Sequence, residues 1–165
     1  MKLFNPIAPN YKSEFVKSSQ NVSDIVVQIK RAINDSKASA EAIAPRLKGS
    51  NKLETLKNIF RFVKQIPYKK EPASLQTART LPRILHGAIN GTGGDCKHYT
   101  IAVSSLLKAL NIPHKLRLIS QNFYNAEPTH IYVVAYVNGV EYVLDCVLNS
   151  FDEEAAYKYK YDVKP

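Results

Sequence analysis

Apolar residues recur at helical spacing through the first half of the chain and at strand spacing through the second. Ile25, Val26, Ile29, Ala32 and Ile33 share one face of a helix expected over 24–35, with Ser23 as its N-cap. An Ala-rich stretch, 39–47, predicts a shorter helix that Pro45 must end or tighten, because proline has no N–H for the helical ladder. Leu53, Leu56, Ile59, Phe60, Val63 and Ile66 form the clearest stripe; Asn51 and Glu54 have capping-box spacing before it, and Pro67 closes it. Residues 68–94, punctuated by Pro72, Pro82, Gly87, Gly91, Gly93 and Gly94, predict a long connection with a short helix near 80–85; connections of this length are often functional. Beyond Gly94, Tyr99, Ala102, Val103, Leu106, Ala109 and Leu110 predict the buried face of a helix that opens at Cys96 and stops before Pro113.

Segments 115–119, 130–137 and 140–147 are rich in Val, Ile, Leu and Tyr and read as strands. Between the last two stands Asn138-Gly139, a strong short hairpin signal. Helices followed by an antiparallel sheet define an α+β fold. Residues 1–20 mix Pro, Asn, Ser and Lys with scattered Phe4, Tyr11 and Phe15, which predicts an irregular N-terminal arm ahead of a single domain over 21–165.

A chain of 165 residues with 45% hydrophobic content can bury one core and is short for two. No apolar run approaches the roughly 20 residues of a membrane span, and the start, MKLFNPIAPN, lacks the apolar stretch of a secretory signal; no membrane association and a cytoplasmic location are expected. The +9 net charge is unevenly placed: residues 1–70 carry 14 Lys/Arg against 5 Asp/Glu, and residues 71–165 carry 9 of each. An electrostatic partner would therefore meet the first 70 residues. No nucleic-acid-binding motif accompanies that charge, so solvated lysines are expected and nucleic acid is not. Two cysteines are too few for a disulfide framework and leave a thiol for chemistry.

Cys96 follows Gly93-Gly94-Asp95 and opens a helix, where unpaired N–H groups and the positive end of the helix dipole favour a thiolate. The backbone N–H of Cys96 could also receive an oxyanion, and Gln76 or Asn90 in the long connection could add a side-chain donor. The hairpin provides a separate line of argument. A two-residue turn at Asn138-Gly139 pairs Val137 with Val140, so Tyr132 faces Asp145, and His130 lies on the same face as a diagonal neighbour of Asp145. A His oriented by a carboxylate is what a base beside a thiol requires. The same register puts Ile131, Val133, Ala135, Val137, Val140, Tyr142, Leu144 and Cys146 on the opposite apolar face, making Cys146 a core residue. His98 lies about 200° around its helix from Cys96, given ~3.6 residues per turn, and reads as structural, with a substrate-facing position as the alternative. A zinc site from Cys96, His98, His130 and Asp145 has no recognised ligand spacing, and Gly87 to Gly94 lacks a P-loop Lys-Ser/Thr pair; no metal or cofactor is expected.

These residues carry a family resemblance. Gly94-Asp95-Cys96 opening a helix, Asn111-Ile112-Pro113 before a strand, Thr129-His130 starting a strand and Leu144-Asp145 ending the next resemble the transglutaminase-like superfamily of papain-like cysteine enzymes. The runs 59–63, Ile66-Pro67-Tyr68, Thr80-Leu81-Pro82 and 151–154 resemble its bacterial and phage-encoded branch, and the likeness spans roughly 22–155. Lys97 stands where an acidic residue is common in that family, and the chain has no Trp. The resemblance implies a fold with the nucleophile at the head of a central helix packed on an antiparallel sheet. It also implies Cys96 as nucleophile, His130 as general acid/base and Asp145 as the residue that orients it, acting on amides of proteins or peptides through a thioester. Hydrolysis would make a cysteine protease or amidase, and transfer to an amine a transglutaminase. The alternative is a phage virion or assembly protein that keeps the fold for contact alone, with virion components as partners; the location implied is a bacterial host cytoplasm or the virion.

Overall fold

The computed structural model describes residues 2–4, 13–16, 22–72, 75–121 and 128–165, and the side chains of 13–16 and 22–24 lie outside that description. The chain runs through helix α1 (Val22–Asp35) into α2 (Lys37–Ile43), which stops where Pro45 withholds its N–H; the backbone then tightens into a 3-10 turn, Ala44–Leu47. Ser23 falls inside α1, and its side chain is outside the described residues. Helix α3 (Lys52–Val63) is capped by Asn51, whose side chain accepts the Glu54 N–H at 2.9 Å. The reciprocal half of the expected capping box is shifted by one residue, since the Glu54 carboxylate accepts from the Ser50 N–H at 3.1 Å.

The long connection holds more structure than its Pro and Gly content suggests. Strand β2 (Gln76–Arg79) pairs antiparallel with β1 (Ser13–Val16), placing a strand inside the segment expected to be irregular; Tyr11 and the remainder of that arm, apart from residues 2–4, are outside the described residues. The short helix expected near 80–85 extends to α4 (Leu81–Ile89). Then come α5 (Cys96–Ala109) and strands β3 (His114–Ser120), β4 (His130–Val137), β5 (Val140–Leu144) and β6 (Tyr159–Val163). The last four strands form an antiparallel sheet in the order β5-β4-β3-β6.

Asn138 and Gly139 both adopt positive φ, 53° and 80°, as a two-residue hairpin requires, and Val137 pairs with Val140. The expected register therefore holds from the turn as far as Val133 opposite Leu144, one pair short of Tyr132 and Asp145. Strand β5 is shorter than the expected 140–147, because the Asp145 carboxylate accepts the Val147 N–H at 3.1 Å and turns the chain out of the sheet.

Helix α5 is the centre of the molecule. Every residue from Lys97 to Leu107 is buried, so the helix is enclosed on all sides instead of showing the single apolar face its spacing predicts. Helices α1, α2, α3 and α4 surround it on one side and β4 covers the other, joined in one core that includes Ile29, Leu47, Leu56, Leu85, Leu106, Leu116 and Val133. The polar residues of α5 are buried with partners: Ser104 meets His114 at 2.8 Å, Ser105 donates to the Ile101 carbonyl at 2.7 Å, and Thr100 donates to the Ile131 carbonyl at 3.0 Å. Thr100 is one turn beyond Cys96 and Ile131 is next to His130, so this last bond locks the head of α5 to the start of β4. Among the described residues, no helix is long and apolar enough to cross a membrane.

Replacing Thr100 by Val keeps the shape and removes this bond, stranding a buried carbonyl. The expected outcome is a loss of about 1–2 kcal/mol in urea unfolding together with slower alkylation of Cys96, read by intact mass.

Candidate active site

The turn that presents Cys96 is built by close backbone approach. Gly93 has φ 68°, and a β-carbon there would collide with the Pro67 carbonyl; the Gly94 N–H donates to that same carbonyl at 2.9 Å, and the Lys69 N–H donates to the Gly94 carbonyl at 2.8 Å. A β-carbon on Gly94 would stand 2.8 Å from that of His98. Two glycines in a row thus let the entry segment 67–69 run alongside the head of α5.

Asp95 caps α5. Its carboxylate accepts the N–H groups of Lys97, at 3.2 Å, and of His98, and its carbonyl accepts the Tyr99 N–H at 3.0 Å. Of the first-turn amides, the Cys96 N–H is left without a partner among the described residues. The Cys96 side chain is half-buried and lines a cleft of about 240 Å³ whose walls include Ile25, Tyr68, Lys70, Gln76, Lys97, Leu118, Thr129 and His130.

The three residues singled out in the sequence converge on this cleft. His130 Nε2 is 2.6 Å from Asp145 Oδ2, and the ring shares the cleft wall with Cys96. With Nε2 committed to the carboxylate, Nδ1 is the nitrogen left for the thiol. Asp145 is almost fully buried, its other oxygen holding the Val147 N–H. From behind, Lys64 at the end of α3 donates to the carbonyls of Cys146 and Val147, both at 3.2 Å, which fixes the turn that carries Asp145. Burial works against a charged His130 ring, but the bond to Asp145, the contact with Cys96 and the negative charge on both outweigh it and lift His130 to about 9. Cys146 sits in the main core, and burial followed by the charge of Asp145 pushes its thiol well above the usual range.

The two side-chain oxyanion candidates fare differently. Gln76 lines the cleft, but its amide nitrogen already donates to the carbonyls of Glu71 and Pro72, each at 3.0 Å, while its oxygen accepts from Lys97 Nζ at 2.6 Å. Its amide donors are engaged, so the structure corrects that assignment. Asn90 is corrected too: it is exposed at the end of α4, bonded to His86, and does not line the cleft.

A buried charge cluster lies beside the cleft and was missed in the sequence. Lys97, expected on resemblance to be an acidic position, pairs with Asp95 at 2.5 Å and with Glu71 at 3.7 Å. Arg79 holds Glu71 at 3.3 Å and donates from Nε to His98 Nε2 at 2.8 Å. Because Arg79 must donate there, the His98 proton sits on Nδ1, which faces Asp95 Oδ1 at 2.9 Å; the Asp95 N–H, 3.1 Å from the same Nδ1, is then a contact without a bond. Burial keeps His98 neutral even beside Asp95, and although burial alone would raise Asp95, His98 and Lys97 hold its carboxyl far below the usual range. Glu71, Asp95 and His98 have ligand atoms within 4.8 Å of one another, the one such set among the described residues. Lys97 and Arg79 already neutralise the carboxylates of that set, and His98 is drawn into it and away from Cys96.

The sequence matches the family model described as "Transglutaminase-like domain" over residues 38–163. The chain belongs to that family. Among solved structures, this transglutaminase-like chain is similar to "a putative protease" from Parabacteroides distasonis, with TM-score 0.55 and 15% identity, covering 73% of this chain and 26% of the other. It is also similar to "a putative cysteine protease" from Cytophaga hutchinsonii, with TM-score 0.47 and 15% identity over 82% of this chain and 48% of the other. The transglutaminase-like chain thus spans about a quarter and about half of the lengths of these two proteins. No curated protein matches it significantly.

Two outcomes follow. A histidine lifted from 6.5 to about 9 contributes stability that is present in full below about 6.5 and is lost as pH rises through about 9. In urea unfolding, His130→Gln should trail the unsubstituted chain most near pH 6, with the gap narrowing by about pH 10. Lys97→Met leaves Asp95 and Glu71 with a cation fewer, and since His98 and Arg79 remain, the expected loss is about 2–3 kcal/mol by the same measurement.

Proposed function

We propose that this protein carries out thiol-dependent amide chemistry on peptides or proteins, with Cys96 as nucleophile, His130 as general acid/base and Asp145 as its orienting carboxylate. The observation that carries this reading is the order of groups at the cleft wall: Cys96 and His130 line the same cleft, and His130 Nε2 is 2.6 Å from the buried Asp145. A base beside a nucleophile gains both activation and orientation.

In the proposed reaction His130 holds the Cys96 proton, as its lift to about 9 favours, and the thiolate sulfur attacks the amide carbon. The carbonyl oxygen gains the displaced electron pair and meets the Cys96 N–H, the first-turn amide that Asp95 leaves uncapped. As the tetrahedral adduct collapses, the C–N bond breaks, His130 returns the proton to the departing amine, and a thioester remains on Cys96. Water or an amine, deprotonated by His130, then attacks the thioester, releasing an acid or a new amide and restoring the thiol. Water gives a cysteine protease or amidase, and an amine gives a transglutaminase. We place this chemistry in a bacterial host cytoplasm, on host proteins or on virion components, following the phage-like motifs at 59–63 and 151–154.

Iodoacetamide at neutral pH should modify Cys96 within minutes and leave Cys146 unmodified, read by peptide mapping, because one thiol borders a cleft beside a base and the other is sealed in the core. Cleavage or amine incorporation in a peptide mixture should vanish in Cys96→Ser and drop by about 10²–10⁴-fold in His130→Ala. Equal, slow labelling of both cysteines would reject the catalytic reading and leave a contact role within a phage particle as the better account.

A further inference from the structure

We infer that the cleft takes substrates carrying Asp or Glu within a few residues of the scissile amide, on the side that leads over Lys70. This rests on the amide chemistry proposed above and names the substrate class for that site.

The cleft of Cys96 does not end at Lys70. A second cavity, of about 350 Å³, shares that residue and is lined by Lys69, Lys70, Glu71, Pro72, Thr77, Arg79, Arg83 and Thr92. The two cavities together present the cations Lys69, Lys70, Arg79, Arg83 and Lys97 against the carboxylates Glu71 and Asp95. The inner charges are already matched: Lys97 and Arg79 are buried and lie against Asp95 and Glu71. Glu71 is also turned inward, its two oxygens taking the Thr77 N–H at 2.6 Å and the Thr77 hydroxyl at 2.5 Å as well as Arg79. It therefore does little to repel an anion at the surface. What remains, among the described residues that line the cavity, is a positive excess at Lys69 and Lys70, both exposed.

Geometry ties that excess to the reacting bond. The Lys69 N–H is bonded to the Gly94 carbonyl, two residues before Cys96, so the lysine pair belongs to the same rigid segment that seats the nucleophile. An extended peptide advances about 3.3–3.6 Å per residue, which puts neighbours of the scissile amide within a short span of this segment. A carboxylate there would meet long cationic side chains at a concave wall, where the field is focused relative to an open surface.

The test is digestion of a proteome-derived peptide library by the full chain, read by mass spectrometry for Cys96-dependent products. The expected result is enrichment of Asp and Glu on one side of the reacted amide. Lys69→Glu/Lys70→Glu should move the ratio of acidic to basic flanking residues by roughly tenfold towards basic. Raising ionic strength should erode the preference of the unsubstituted chain without any substitution. Circular dichroism of the double variant separates loss of fold from loss of preference, and the salt series stands even if that variant does not fold. Cys96-dependent reaction with no acidic enrichment, or enrichment indifferent to salt, overturns this inference and leaves the amide chemistry intact. Absence of any Cys96-dependent product rejects the amide chemistry and this inference with it. Tighter binding of an oligonucleotide than of an acidic peptide by Cys96→Ala, measured by anisotropy, would assign the basic cavity to nucleic acid instead.

Discussion

The carboxylate of Asp95, buried at the head of the central helix, is the constraint on which the site's arrangement depends. A helix begins with N–H groups that have no partner, and Asp95 satisfies those of Lys97 and His98. That leaves the Cys96 amide without a partner among the described residues, beside its own thiol. The same carboxylate draws in the Lys97 ammonium and the His98 ring, and these two side chains reach Gln76, Glu71 and Arg79 on the neighbouring connection. One buried anion therefore caps the helix, directs the free amide and ties the β2 segment to the nucleophile.

The opposite wall is positioned by a different device. Strand β4 brings His130 to the cleft, and its depth is set by the Thr100 bond to Ile131, while Lys64 steadies the turn beyond Asp145. These bonds reach the site from α5 and α3, elements in the densest part of the core. A base and a nucleophile on separate elements keep their separation only if neither element slides, and burial of α5 on all sides makes sliding costly. The apolar core is thus part of the site's geometry as well as of the chain's stability.

Features fixed by local chemistry were legible in the sequence. Asn138-Gly139 determined the hairpin register, and with it the nearness of His130 to Asp145 and the burial of Cys146. Asn51 announced the start of α3, and Pro45 the end of α2. Features that need distant partners were not legible. Strand β2 exists through pairing with residues sixty or more positions earlier, and the apolar spacing of α5 shows one face because its small polar residues do not reveal the neighbours that bury them. Strand β6 did carry a signal, since Tyr159, Tyr161 and Val163 alternate with Lys160 and Asp162, and Asp162 lies 2.8 Å from Arg117. Gln76 lines the cleft, but its amide donates to carbonyls whose position no residue type reveals.

Lys97 shows how such a cluster can absorb a change of sign. The family resemblance implies an acidic side chain at this position, whereas the ammonium here brings positive charge into a buried site with Arg79 close by. Burying two like charges without compensation would be prohibitive. Here Asp95 meets Lys97 from its own helix and Glu71 meets both cations from the connection, so the inner cluster is close to neutral. Glu71 can do this only because the Thr77 amide and hydroxyl hold its oxygens inward. The compensation has a consequence at the surface: with Glu71 committed to the interior, Lys69 and Lys70 beside it are exposed, and among the described residues lining their cavity no other carboxylate accompanies them. A balance struck inside the protein around Lys97 thus turns the one carboxylate of that wall away from the two lysines.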